Sequence, residues 1–576
     1  MATRQVSANP SELIVKQLSA SGVKYVFYNS GSREAPFFDA LEAEPNVHGI
    51  LSLHEGIVTA MAGGYSQVRG DTAVMVVHLG SGLAQCLGQL INVWSGMLPV
   101  VVITFHADTG SFADRVILDL GHNTGPTLIS TPFTKANWTV IEPEGLPAAV
   151  DRAIRVASTP PVGPVHLAVY DRLLNYRPTS STVIENPPGR PRPGYPADAD
   201  LEEIALALHS AERPMVYVGD GVWKSGGESE MRSIVERFGV PVVSMGNDLR
   251  SIPVAHPQHG GRLQQVAGAY KPDVIVCFGV RHTGNGNMAD YQAFIDAGRV
   301  IALGHDVDNL TNMPGVSRVI LADEKRALER LEALVASEYE PARYGKRRAA
   351  AVELGRKMRE SRRARLMPKP EAGKVRPAVL LDALQDSLEQ AGGGFVTTEQ
   401  FAAPLDSVSE RAGGGSTVYL RPAGNSEGYG MAAPIGAKLA APDRPVVGLV
   451  GDGSVYYHDS AFWSAAHHRV PVLWVIPNNG AYGVVARSFG EAGGHMAKTG
   501  KYAGVVLDGV DPLKVADAFG VEGSRVTDER KVGPEIKRGL DLVDREARPY
   551  VLDVRLPSGL PEKGVASKQF KLAKRR

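Results

Sequence analysis

Short runs of consecutive apolar residues punctuate the chain, each followed by a glycine-bearing turn and then an amphipathic stretch. In the first third the runs are Tyr25–Phe27, Thr72–Val77 and Val100–Phe105. In the middle they are Met215–Val218, Val240–Ser244, Val274–Phe278 and Val300–Leu303, and in the last third Val446–Val450, Val472–Ile476 and Tyr550–Val554. They are continuous rather than alternating, which predicts strands buried on both faces. The repeated grammar predicts an α/β fold of three doubly wound, mostly parallel-sheet domains. Two stretches divide them. Residues 177–200 carry Pro178, Pro187, Pro188, Pro191, Pro193 and Pro196, a density that predicts an extended tether without regular helix or sheet. Residues 338–372 are rich in arginine and lysine, which predicts a solvated basic helix running into a second linker, with an anion-binding patch as the other reading. The expected domains are 1–176, 201–337 and 373–556, followed by a basic tail, 557–576.

Composition narrows the class. Among 576 residues, 62 Lys and Arg balance 62 Asp and Glu, which argues against a polyelectrolyte that coats nucleic acid. A hydrophobic fraction of 43% is that of a packed globular chain, not a disordered one. Cys86 and Cys277, the two cysteines, cannot build a disulfide framework or a four-cysteine zinc site. The longest apolar stretches, such as Leu98–Phe105, are of strand length rather than membrane-spanning length. Met1–Val15 lacks the charged-then-apolar order of a signal peptide. The expectation is a cytoplasmic enzyme with a small-molecule substrate and no nucleic-acid or membrane partner.

The strongest chemical signal is Gly451-Asp452-Gly453-Ser454 directly after one predicted strand, answered by Asn478-Asn479-Gly480 after the next. Ligands bind at the carboxyl ends of strands in open α/β sheets. Asp452 and Asn479 offer hard oxygen ligands and Gly453 admits a diphosphate to the backbone, a combination suited to Mg²⁺. At this spacing the chain resembles the thiamine-diphosphate-dependent decarboxylases, acetohydroxyacid synthases and related lyases. The resemblance spans pyrimidine-binding, middle and diphosphate-binding domains. It implies that Asp452, Asn479 and the Ala481 carbonyl hold Mg²⁺, with Gly451, Gly453, Ser454, Tyr482 and Gly483 around the cofactor. It implies further that Glu55, in Leu53-His54-Glu55-Gly56 ahead of an Ala/Gly-rich helix at Thr59–Gln67, pairs with the cofactor's pyrimidine and tunes its proton affinity. The segment Asn425–Met431 resembles the loop that supports the cofactor at its bend. Its supporting side chain is usually apolar, and the match falls on Tyr429, with Gly428 and Met431 beside it. Glu399, Gln400 and Phe401 resemble the strand end that meets the diphosphate from the other side. The family also implies a homodimer or homotetramer with shared active sites, Glu55 of one subunit meeting Asp452 of another.

The substrate side points two ways. Ser32 in Asn29–Ser32 and His78 in Val76–Gly80 resemble substrate-facing residues of benzoylformate decarboxylase, where they would handle the carboxylate and proton transfers; His282 resembles a second histidine of that enzyme. Glu491, at the end of a segment expected over the cofactor, resembles a proton-shuttling glutamate of the actinobacterial type of 2-hydroxyacyl-CoA lyase. The tail, with Lys563, Lys568, Lys571, Lys574, Arg575 and Arg576, suits a lid pairing with coenzyme A phosphates. The leading expectation is therefore a thiamine-diphosphate- and Mg-dependent lyase that cleaves a short 2-hydroxyacyl-CoA to formyl-CoA and an aldehyde or ketone. The alternatives are a benzoylformate-type 2-oxo acid decarboxylase and an acetohydroxyacid-synthase-like carboligase. Gly219-Asp220-Gly221 is too weak a motif to support FAD in the middle domain.

Overall fold

The structure is a computed structural model that describes residues 2–106, 125–185, 189, 191, 193–281, 287–336, 338–399, 408–502 and 504–560. Three parallel sheets form where the apolar runs predict them. The first has the strand order His48–Leu51, Tyr25–Tyr28, Ala73–His78, Val100–His106, Val165–Tyr170, Ala136–Val140. The second runs Val242–Ser244, Pro214–Val218, Val274–Phe278, Val300–Gly304, Arg318–Leu321, and the third Val418–Leu420, Phe395–Thr398, Val446–Leu449, Leu473–Asn478, Tyr550–Arg555, Gly523–Val526. Central strands such as Val100–His106 and Leu473–Asn478 are buried along their whole length, which is why their sequences are continuously apolar.

The proline-rich stretch departs from expectation. Thr179–Glu185 is a strand, paired antiparallel with Ala2–Ala8 from Ala2↔Glu185 to Ala8↔Thr179. The prolines bracket this segment rather than occupy it. Its own sequence, with Thr, Val and Ile, favours strand. The basic stretch is a helix, Gly345–Leu366, as expected, but its arginines are not a free anion patch. Arg347 donates to the Leu208 carbonyl at 2.7 Å, Arg359 to the His256 carbonyl at 3.1 Å, and Arg363 pairs with Asp382 and Glu410. The helix thus clamps the middle sheet's periphery to the third domain.

The first and third domains meet through two helices, Glu55–Arg69 and Tyr429–Ala440. A Cβ on Gly64 would strike the Ala433 carbonyl, and one on Gly436 the Met61 carbonyl. The small residues of these helices therefore exist to let backbones touch. The middle domain is tied in by Arg281, which pairs with buried Asp220 and donates to the Ser95 carbonyl at 2.7 Å. Lys224 bonds the same Asp220 at 2.7 Å. Among the described residues, no helix is long and apolar enough to cross a membrane.

Candidate active site

The loops after strands Val446–Leu449 and Leu473–Asn478 converge on a cavity of about 370 Å³. Gly451, Asp452, Gly453, Ser454, Asn479, Ala481, Tyr482 and Gly483 all line it, with Glu427, Tyr457, Val484, Val485 and Gly504. Parallel pairing of the two strands, Val447↔Leu473 to Leu449↔Val475, brings the two turns to one edge. Asp452 Oδ2 accepts the Gly480 N–H at 3.0 Å, which ties the turns together. Burial pushes the Asp452 carboxyl up to about 6, because a low-dielectric site disfavours the charged form. Asn479 Nδ2 donates to the Ser558 carbonyl at 3.2 Å, which turns the amide and leaves its oxygen for a ligand. A Cβ on Gly453 would lie 2.6 Å from the Tyr482 ring, so only glycine leaves this wall open. One carboxylate, one amide oxygen and one carbonyl, completed by phosphate oxygens, form a donor set that suits Mg²⁺. The described residues contain no cluster of three His, Cys, Asp or Glu, and this donor set needs none.

Glu55 begins its helix, with His54 as N-cap accepting the Gly56 N–H at 2.9 Å. The carboxyl is 7% exposed. It faces Gly82, where an added Cβ would lie 3.0 Å from Oε1. Glu55 does not line the cavity that holds Asp452. His78, at the end of strand Ala73–His78, is bonded through Nδ1 to both oxygens of Glu34, at 2.8 and 2.9 Å. Glu34 is buried, and its hydrogen bond raises the His78 pKa against the opposing effect of burial, with Glu55 adding in the same direction. Tyr28 pairs with Val76 in the sheet, so the turn after one strand delivers Glu34 to the end of its neighbour. Ser32 is exposed on the short 3₁₀ turn Ser32–Glu34.

On the loop expected to support the cofactor, two of the expected side chains do not line the cavity. Tyr429 and Met431 are fully buried away from the cavity. The Tyr429 hydroxyl donates to Gln67 Oε1 at 3.0 Å across the helix pair, and the Met431 carbonyl accepts from the Trp474 indole. Gly428, with φ of +91°, turns the chain so that Glu427, two residues before Tyr429, faces the cavity instead. Glu399 lies behind it, 2% exposed, accepting the Gly430 N–H at 2.7 Å. Burial first, and then the neighbouring Glu427 carboxylate, push Glu399 up to about 8. Nothing in the sequence except a lone acidic residue in a Gly/Ser loop pointed to Glu427. Glu491 is exposed at the far end of helix Gly483–Glu491, whose other end lines the cavity. Gln400, Phe401, His282 and the tail from 561 onward lie outside the described residues.

Comparison with known proteins identifies the three domains. Residues 9–123, 201–331 and 416–554 match the N-terminal TPP binding, central and C-terminal TPP binding domains of thiamine pyrophosphate enzymes. The benzoylformate decarboxylase of Pseudomonas aeruginosa is 27% identical over 556 residues, covering 93% of this chain and 97% of the relative. The acetolactate synthase isozyme 3 large subunit of Escherichia coli is 25% identical over 574 residues, covering 94% of each. Among solved structures, the thiamine diphosphate-dependent 4-hydroxybenzoylformate decarboxylase of Rhodococcus jostii is similar at a TM-score of 0.73 and 25% identity, covering 96% of this chain and 99% of that one. With three domains in the same order and the loops of the third converging on one cavity, the chain belongs to the thiamine pyrophosphate enzymes, of the decarboxylase and acetolactate synthase type.

Proposed function

We propose that the protein decarboxylates a small 2-oxo acid of the benzoylformate kind, releasing an aldehyde and CO₂. The observation that carries this reading is His78 bonded through Nδ1 to the buried Glu34 carboxylate. That bond favours the imidazolium form and leaves Nε2 to pair with a substrate carboxylate. Ser32, exposed on the turn that carries Glu34, adds a hydroxyl near the same strand end. Asp452, Asn479 and the Ala481 carbonyl would hold Mg²⁺, which would supply positive charge to bind the diphosphate. Bound thiamine diphosphate supplies the electron sink for breaking the carbon–carbon bond. Glu55 holds a proton at the cofactor's pyrimidine.

The same likeness supports a homodimer or homotetramer in which a partner chain supplies Glu55 to the cavity that holds Asp452. Mixing Glu55→Gln with Asp452→Ala subunits tests this. Shared sites would restore about a quarter of the parental activity, because about half of randomly mixed dimers carry one intact site. Sites built within one chain would restore none. The acyl-CoA lyase reading rests on Glu491 and the basic tail. Glu491 is exposed at the end of its helix, and the tail lies outside the described residues, so neither favours that reading over decarboxylation. A screen of free aryl and alkyl 2-oxo acids, pairs of 2-oxo acids and 2-hydroxyacyl-CoA esters, followed by mass spectrometry, decides among the three. CO₂ and aldehyde from a free 2-oxo acid are expected. Formyl-CoA from a coenzyme A ester, with no CO₂ from any acid, would overturn the proposal.

A further inference from the structure

Glu427 on the cavity wall and Glu399 buried behind it form a pair of carboxyls that the reading above does not use. Glu427 lines the wall between Ser454, Tyr457 and Tyr482, at a loop where the family resemblance implies an apolar support. The loop is held firmly by the first domain. Gln89 donates to the Glu427 carbonyl at 2.7 Å, and Asn92 donates to the Ser426 carbonyl at 2.8 Å. The Glu427 carboxyl accepts the Ser454 hydroxyl at 2.9 Å and lies within hydrogen-bond reach of Glu399. Glu399 spends Oε1 on the Gly430 N–H. Its Oε2 is fully buried and receives no hydrogen bond.

Two carboxylates in contact, one of them out of water, do not both ionise. Neutralisation by a cation is the usual escape, and among the described residues the lining contains no Lys, Arg or His side chain. Among the described residues, the titratable groups around the pair are Asp452, Tyr457, Tyr482 and, behind Gly428, His458. Burial pushes His458 down to about 4, so it is uncharged at neutral pH. A proton held between Glu399 and Glu427 satisfies the buried oxygen without any cation.

We propose that Glu427, backed by Glu399, is an acid–base residue of this site, and that the pair holds one proton which Glu427 delivers to the acyl carbon of the substrate. The proposal rests on the decarboxylase reading, because that reaction needs such a donor. A 2-oxo acid anion loses CO₂ as the bond between its carboxylate and carbonyl carbons breaks. The electron pair of that bond must end in a new C–H bond, and one proton is consumed per aldehyde formed. The carboxyl O–H of the pair breaks to supply it, leaving two carboxylates in contact, and that repulsion draws a replacement proton from water.

The test uses Glu427→Gln and Glu399→Gln, each of which keeps a hydrogen-bond acceptor in place, with fluorescence titration of Mg–thiamine diphosphate confirming that the site forms. The infrared spectrum of the cofactor-free protein at neutral pH should show a carboxylic-acid C=O band that is absent from Glu399→Gln and shifted in frequency in Glu427→Gln, where the shared partner is lost. In the holoenzyme, Glu427→Gln should release CO₂ in a burst of one equivalent per site while aldehyde appears roughly 10²-fold more slowly than in the parent. Persistence of the band in Glu399→Gln, an unshifted band in Glu427→Gln, or aldehyde release by Glu427→Gln at the parental rate, would overturn the proposal. A parent that yields no CO₂ from any 2-oxo acid refutes the decarboxylase reading and with it proton delivery to an acyl carbon. The infrared band then judges the shared proton separately.

Discussion

Substituting Tyr429 with phenylalanine separates two roles that the sequence alone runs together. If Tyr429 braced the cofactor, losing its hydroxyl would be felt in cofactor affinity. The structure instead buries the ring to 1% exposure, seats it on Gly63, where an added Cβ would collide with the hydroxyl, and aims that hydroxyl at Gln67 Oε1, 3.0 Å away. Gln67 is itself buried, and its Nε2 is committed to the Arg421 carbonyl at 3.2 Å. The Tyr429→Phe change would therefore leave Oε1 without a donor and without water. The cost is that of stranding a buried acceptor, about 1–3 kcal/mol. For a cooperative unit of about 150–250 residues each kcal/mol lowers the melting temperature by about 2–4 °C. Scanning calorimetry of the cofactor-free protein should show that loss in the transition that includes the interface of the first and third domains. The Kd for thiamine diphosphate at saturating Mg²⁺ should stay within about threefold of the parent, a difference of less than about 0.7 kcal/mol. An unmoved melting temperature together with a tenfold weaker cofactor would refute the packing assignment and restore the supporting role.

Three further outcomes follow from the site. Glu55→Gln should bind thiamine diphosphate yet turn over roughly 10²-fold more slowly or worse, and near-parental turnover would reject its role. Asp452→Ala removes the one anionic oxygen of the proposed Mg²⁺ set, so calorimetric titration should show weaker cofactor binding that more Mg²⁺ only partly restores; unchanged affinity would place the metal elsewhere. Glu34→Gln removes the bond that raises the His78 pKa and leaves burial to lower it. The alkaline limb of the kcat/KM profile, which reports loss of the imidazolium, should then move to lower pH. Stability carries the same sign. In the parent the raised His78 pKa contributes stability that is complete below about pH 6.5 and is lost as pH rises through the folded-state pKa, and the variant should lack that slope.

The sheets were legible because burial on both faces writes itself into a strand as an unbroken apolar run, and because Gly451–Gly453 and Asn478–Gly480 mark the ends of adjacent strands. Other features left no such trace. Thr179–Glu185 lies among prolines that suggest a tether, yet its own residues favour pairing, and the partner strand, Ala2–Ala8, lies at the other end of the first domain's sequence. Glu34 and His78 are 44 residues apart, and only the parallel neighbour relation of their strands brings them together.

The loop before Tyr429 shows most clearly where sequence reading stops. Helices and strands have a period, so a shift of one position moves a residue from core to surface in a predictable way. A loop has none, and which side chain enters the cavity depends on individual dihedral angles. Here the deciding angle is the positive φ of Gly428, a conformation that glycine adopts at no steric cost. It ends the loop with Glu427 facing the cofactor side and starts the helix with Tyr429 facing Gln67. One glycine thus assigns a carboxyl to the chemistry and a phenol to the domain interface. Substituting it should disturb both at once, because a Cβ at that position would also strike His458 and the Tyr457 side chain.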